Sequence, residues 1–323
     1  MKLFSYSNHG EYGLGVAIGD AYYDLHLTNP RLPDNMADFL KGGEETMAIA
    51  RETVLAVERG VVAPLPLAHV DFAAPVPRPS SCRDAYAFRQ HVETSRRNRG
   101  VPMIPEFNQF PVFYFTNHCA VFGPGDIYCM PAHFDQLDFE LEVAVVLNKK
   151  GRNIKAADAD TYIAGYMIMN DLSARSLQME EMKLSLGPAK GKDFATAIGP
   201  LLVTPDELAG YKVAAHDGHI GQAYSLKMTC KVNGVTVSAG NFADMYWTFA
   251  EIIERISYGV DVYPGDVIGS GTVGTGCFLE LNGTMKLEDP AYEPRWLQPG
   301  DVVEMEVTGL GRLVNTVKLE IAP

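Results

Sequence analysis

The stretch Gln136–Leu147, QLDFELEVAVVL, constrains what this chain can fold into more than any other. Its second half is an apolar run of strand formers. Its first half places Asp138, Glu140 and Glu142 at a strict two-residue spacing. Alternate side chains of a β-strand point to one face, so these carboxylates share a face while Leu137, Phe139, Leu141 and Val143 share the other. Like charges lined up in this way repel and need either open water or a cation. The spacing alone leaves both solutions open.

Composition narrows the setting. The chain has 323 residues, 47% of them hydrophobic, enough for one large domain or two unequal ones. A net charge of -13, from 40 acidic against 27 basic residues, argues against a nucleic-acid partner, whose phosphates select basic surfaces. Cys82, Cys119, Cys129, Cys230 and Cys277 lack C-x-x-C spacing, so neither a disulfide framework nor a zinc site is expected. The first residues lack an apolar signal-peptide core and no later run is long enough to span a bilayer. The expectation is a soluble cytoplasmic protein that binds no membrane.

Residues 1 to about 27 read as a β-meander, with strands at Leu3–Tyr6, Gly13–Ile18 and Ala21–Leu25 and a hairpin turn at Gly19-Asp20. A short helix is expected at Met36–Leu40. A longer one runs from Glu44 to a Gly60 cap, burying Met47, Ala50, Val54 and Val57. Pro64, Pro66, Pro75, Pro77 and Pro79 then place a boundary near residue 75, giving a small β-rich unit at 1–75 and a larger unit at 76–323. Asp84–Thr94 reads as a helix or turn, Pro111–Phe115 as a strand, Gly123–Asp126 as a turn and Ile163–Met169 as a strand. Beyond residue 200 strands dominate, with an Asn233-Gly234 hairpin and one clear helix, Met245–Ile256. The fold class is α+β, strand-dominated.

Two sets of residues carry chemistry. Gly269-Ser270-Gly271-Thr272-Val273-Gly274 fits G-x-G-x-x-G literally, but a dinucleotide site needs a helix directly after it, and Cys277–Gly283 reads as a strand and turn. A nucleotide is therefore not expected. Asp84, Glu140, Glu142 and Asp171 are four oxygen donors in separate segments, a set suited to Mg²⁺, Ca²⁺ or Mn²⁺ rather than Zn²⁺ or Cu²⁺. His91 stands out among the histidines because Asp84, Tyr86 and Arg89 flank it closely.

Taken together, these segments resemble the fumarylacetoacetate hydrolase family, from about residue 75 to the C-terminus. The run Asp84-x-Tyr86-x-x-Arg89-Gln90-His91 is similar to the family's entry to the active site, Glu140-Leu141-Glu142 to its metal-binding strand, and Met169–Arg175 to the segment of its next metal aspartate. Leu186–Lys192 with Thr196, then Gly271-Thr272, Glu280 and the closing Trp296–Val303 complete the resemblance. It implies a mixed β-sandwich roll as the catalytic domain, and one divalent cation, Mg²⁺ first, held by Asp84, Glu140, Glu142 and Asp171 with Lys192 and Thr196 close by. His91 would be the general base, oriented by Glu280, and Lys192 would stabilise developing charge. Tyr86, Tyr114, Arg175, Gln178 and Thr272 would hold the substrate, and a homodimer is implied.

The match is not uniform. Arg96, Arg97 and Arg99 are equally eligible for the substrate-gripping arginine, and Met182 stands where a second tyrosine would follow Gln178. Short family members carry a glutamate three residues after the histidine; here that position is Thr94, which favours a His91–Glu280 pair. The resemblance implies hydrolysis of a C–C bond in a 1,3-dicarbonyl or acylpyruvate-type acid. A β-keto acid decarboxylase or a 2-hydroxydienoate isomerase built on the same metal site is the alternative, and a non-catalytic binding module a third.

Overall fold

The acidic strand runs through the interior of the larger of the two main sheets in the computed structural model, which describes residues 1–8 and 10–321. His9 and the last two residues of the expected 76–323 unit lie outside that description. All seven residues of the strand Leu141–Leu147 are buried, because both of its faces are covered. Leu141, Val143, Val145 and Leu147 enter one core, while Ala144 and Val146 enter another. Each large apolar side chain buried here is worth about 1.5–3 kcal/mol relative to exposure.

The larger sheet has eleven strands. From one edge its order is Leu65–Pro66, Ala21–Asp24, Glu11–Ile18, Lys2–Asn8, Thr196–Val203, Ile163–Asp171, Leu141–Leu147, Asp266–Gly269, Ser81–Ala85 and Phe113–Thr116, with Val121–Phe122 beside the start of Thr196–Val203. The N-terminal meander forms as expected and joins this sheet directly, Lys2 and Leu3 pairing with Val203 and Leu202. The second sheet has five strands, Val235–Asn241, Lys227–Val232, Val302–Val307, Gly311–Leu319 and Gly125–Cys129. Its inward residues Met228, Cys230, Val303, Met305, Leu313 and Val317 pack in the same core as Val143 and Val145. The second core joins Ala144, Met167, Met169, Ile198 and Cys82 to Leu3, Val16, Phe39, Leu40, Met47 and Ala50 of the N-terminal elements. The molecule is α+β and strand-dominated.

Four segments differ from the sequence reading. Asp84–Thr94 is not one element. Asp84 lies in the strand Ser81–Ala85, and His91 in the helix Arg89–Asn98. The acidic stretch is broken at Phe139–Glu140, so Asp138 sits in a separate two-residue strand paired with Ser173–Ala174. The helix expected from Met245 begins at Phe249, because Thr248 caps it: Thr248 Oγ1 accepts from the Glu251 amide at 3.2 Å, and Glu251 accepts from the Thr248 amide at 3.0 Å.

The fourth difference is the helix Phe278–Glu288, which replaces the expected strand and turn after Cys277. Its first turn is held from far away in the chain. Asp138 accepts hydrogen bonds from the Phe278 and Leu279 amides at 2.7 and 2.9 Å. A cap supplied from 140 residues away leaves no local signal. A helix thus follows the glycine-rich loop after all, with its N-terminus occupied by the Asp138 carboxylate.

Replacing Thr248 by alanine removes the side-chain half of the capping box. It is expected to lower stability by about 1–2 kcal/mol in urea denaturation, with Thr248→Ser recovering most of the loss.

Candidate active site

Sheet register assembles the site from residues far apart in sequence. Asp171 lies opposite Thr196, Glu142 opposite Met169, Ala144 opposite Gly269, Gly269 opposite Asp84, and Asp84 opposite Tyr114. On four of these strands the side chain two residues away is a core residue: Ala144 for Glu142, Met169 for Asp171, Cys82 for Asp84 and Ile198 for Thr196. Period-two alternation therefore carries Glu142, Asp171, Asp84 and Thr196 onto one face at one end of one sheet. The apolar body of each strand anchors the polar residue at its end.

Carboxylate oxygens of Asp84, Glu140, Glu142 and Asp171 lie within 4.8 Å of one another, all buried. Burial is the largest influence on each. It drives Asp84 up to about 8, with the negative charge of Asp171 adding to it, and lifts Glu142 well above the usual carboxylate range, helped by Asp84. Asp171 is also raised by burial, with Lys192 pulling against it. Glu140 differs: burial pushes it upward, but Lys192, Arg175 and His91 outweigh this and hold it below the ordinary range. Lys192 donates to Glu140 and, at 2.7 Å, to Asp171. Burial alone would discharge this amine, yet Asp171 and Glu140 keep it an ammonium, which makes it a counter-charge rather than a ligand.

The donor set fits a hard divalent cation. Four carboxylates converge against two cations, Lys192 and Arg175, and two oxygens of the row, Asp171 Oδ1 and Thr196 Oγ1, are buried without a hydrogen-bond partner among the described residues. The glycine-rich loop supports the same cluster. The Gly271 amide donates to Asp84 Oδ1 and to Glu142 Oε2, both at 3.0 Å, and Thr272 Oγ1 lies 3.5 Å from Glu142. Gly271 has φ +78, and a Cβ there would meet the Ala85 carbonyl at 2.6 Å, so no other residue fits.

His91 stands beside the cluster. Its Nδ1 is 2.6 Å from Glu280 Oε2, while Glu280 Oε1 accepts from the Thr275 amide at 3.0 Å. This fixes the ring and leaves Nε2 for chemistry. A ring nitrogen of His91 lies within 4.8 Å of a Glu140 oxygen, so the imidazole adjoins the carboxylate cluster. Tyr86 meets the His91 ring edge-on at 5.7 Å between centroids, its phenol pushed up to about 12, chiefly by burial. Arg99 and Arg96 are the cations felt by that phenol, whereas Arg97 donates to Thr284 of the following helix at 3.3 Å.

The remaining expected residues are placed as follows. Tyr114 donates to Asp171. Gln178 accepts from Arg175 at 3.0 Å and lies against the Gly191 backbone. Arg175, expected to contact substrate, is buried and committed to protein carboxylates, to Asp138 at 2.9 Å and Glu140 at 2.7 Å. Asp138 lies outside the four-carboxylate cluster and organises it from behind, joining Arg175 to the start of the helix that carries Glu280. Sequence reasoning missed the supporting contacts of Thr275 and of Asn98, which donates to the Glu280 carbonyl at 2.9 Å. Neither residue carries a signal of its own. Among the described residues no helix is long and apolar enough to cross a membrane.

Four buried carboxylates gathered at one end of the larger sheet, faced by a His–Glu pair, make a candidate metal-dependent enzyme site. The chain belongs to the fumarylacetoacetate hydrolase family: the model of the fumarylacetoacetate hydrolase C-terminal domain matches residues 81–318. Oxaloacetate tautomerase FAHD2A, mitochondrial, of Homo sapiens is 33% identical over 306 residues, covering 94% of this chain and 86% of the human protein. The fumarylacetoacetate hydrolase structure from Exiguobacterium antarcticum is 25% identical, with a TM-score of 0.72 over 99% of this chain and 100% of that one. Maleylpyruvate hydrolase from Sphingobium sp. SYK-6 shares the fold at 22% identity, with a TM-score of 0.68 over 99% and 100% of the two chains.

Cation binding is expected to stabilise the fold. Mg²⁺ at about one hundred times its Kd should add about 2.7 kcal/mol and raise Tm by several degrees. Glu142→Gln should abolish that rise in thermal melts with and without EDTA, and an unchanged wild-type Tm would count against the site.

Proposed function

We propose that this chain is a Mg²⁺-dependent hydrolase of a C–C bond in an acylpyruvate-type acid. The observation that carries this reading is the His91–Glu280 pair, set within 4.8 Å of the carboxylate cluster through Glu140. Asp84, Glu140, Glu142 and Asp171 would hold the cation, which when bound polarises the substrate's 2-oxo and enol oxygens and fixes their position.

The chain's own residues do the rest. Glu280 holds the His91 ring with Nδ1 protonated, and Nε2 takes a proton from water. The hydroxide formed attacks the carbonyl carbon distal to the carboxylate. The C–C bond to the pyruvate half then breaks, its electron pair passes into the pyruvate enolate, and the proton held by His91 is returned to that fragment. Lys192, kept cationic between Glu140 and Asp171, stabilises negative charge as it develops. Tyr86, whose phenol feels the charges of Arg99 and Arg96, would contact the substrate's distal end.

A second reading, tautomerisation of a 2-oxo acid such as oxaloacetate, is favoured by the 33% identical human relative. It uses the same cation and needs His91 only to move a proton between carbon and oxygen, with no attacking water. Five free cysteines, four of them buried, support a reducing compartment, and we assign the protein to the cytoplasm.

The test is a substrate panel read both ways. Pyruvate release from acylpyruvates supports hydrolysis; ultraviolet loss of enol oxaloacetate without cleavage of any acylpyruvate would replace it with the second reading. His91→Ala should lower kcat by 10²–10⁴-fold. A loss below about tenfold would remove His91 from the base role.

A further inference from the structure

Cys277 has no part in the chemistry above, yet it closes a second cluster. Its Sγ, a ring nitrogen of His91 and a carboxylate oxygen of Glu140 lie within 4.8 Å of one another, all three residues buried. This donor set is unlike its neighbour. The four-carboxylate cluster offers oxygen alone and suits hard cations, whereas thiolate, imidazole and carboxylate together are the ligands of Zn²⁺. Glu280 already holds His91 Nδ1 at 2.6 Å, which leaves Nε2 as the ligating nitrogen and supplies the carboxylate–histidine support typical of zinc sites. Tetrahedral zinc at bond lengths of roughly 2.0–2.3 Å places its ligands about 3.5 Å apart, so three donors already within 4.8 Å of one another need to close by at most about 1.3 Å.

We propose that His91, Cys277 and Glu140 form an inhibitory site for a soft divalent cation, Zn²⁺ in the first instance. On binding, a sulfur–metal bond replaces the thiol S–H and the proton leaves to solvent, while imidazole and carboxylate donate lone pairs and a water completes the fourth position. The captured imidazole can no longer accept a proton. The enzyme is therefore activated by a hard cation on one side of Glu140 and arrested by a soft one on the other. The inhibition rests on the role given to His91 under Proposed function; the binding site does not.

The experiment uses the full chain carrying Cys119→Ser, which removes the one exposed thiol, with Mg²⁺ saturating. One equivalent of Co²⁺ should produce thiolate-to-metal charge-transfer absorption, bleached by one equivalent of Zn²⁺, and Zn²⁺ should lower turnover more than tenfold. Adding Cys277→Ser should abolish the absorption and raise the Zn²⁺ concentration for half-inhibition at least tenfold, with Mg²⁺-supported turnover within about threefold of the parent. Cys277→Ala provides the same spectroscopic readout should the serine variant fold poorly. The site is overturned if the parent shows no charge-transfer band, or if the band survives in both Cys277 variants. A band that depends on Cys277, without inhibition of turnover, keeps the site and refutes the base role of His91 instead.

Discussion

Four carboxylates held within 4.8 Å of one another, all buried, impose the condition on which the rest of this structure depends. Removing one ion from water costs several kcal/mol even after relaxation, and like charges at this range add to that cost. Burial pushes Asp84, Glu142 and Asp171 upward, so the row resists carrying its full charge without a cation among the oxygens. What tolerates the arrangement is the scaffold behind it. Each strand reaches the row through a buried apolar body, and the Gly271 amide and the Lys192 ammonium neutralise part of the charge.

A second constraint joins the carboxylate cluster to His91. Asp138 is fully buried and accepts from the Phe278 and Leu279 amides and from Arg175. Arg175 in turn fixes Glu140, and the helix that begins at Phe278 carries Glu280, which fixes His91. A single carboxylate thus sets the spacing between the cluster and His91. Side chains locked from behind in this way give the preorganisation that general base catalysis and cation binding both require.

Much of this was legible in the sequence, and the reasons for the rest are physical. The Gly19-Asp20 and Asn233-Gly234 hairpins and the apolar half of the acidic strand are local signals, and the structure contains them, although the strand breaks between Asp138 and Leu141. The four carboxylates were legible as a set, but their meeting is a matter of register between strands dozens of residues apart, and only pairings such as Gly269 with Asp84 supply it. The helix after Cys277 was not legible, because its cap comes from Asp138. Arg175 was expected at the substrate. No local pattern shows that its guanidinium closes on Asp138 and Glu140, since Asp138 lies 37 residues away. The cluster around Cys277 was equally silent, a lone cysteine gaining meaning only from the folded positions of His91 and Glu140.

The central claim is that Asp84, Glu140, Glu142 and Asp171 form one divalent-cation site. The most direct measurement is anomalous diffraction from crystals grown with Mn²⁺ as a surrogate for Mg²⁺. One strong peak bonded to oxygens of those four residues at roughly 2.1–2.3 Å is the predicted result. No peak there, with the carboxylates instead bridged by protons or by Lys192 alone, would contradict it.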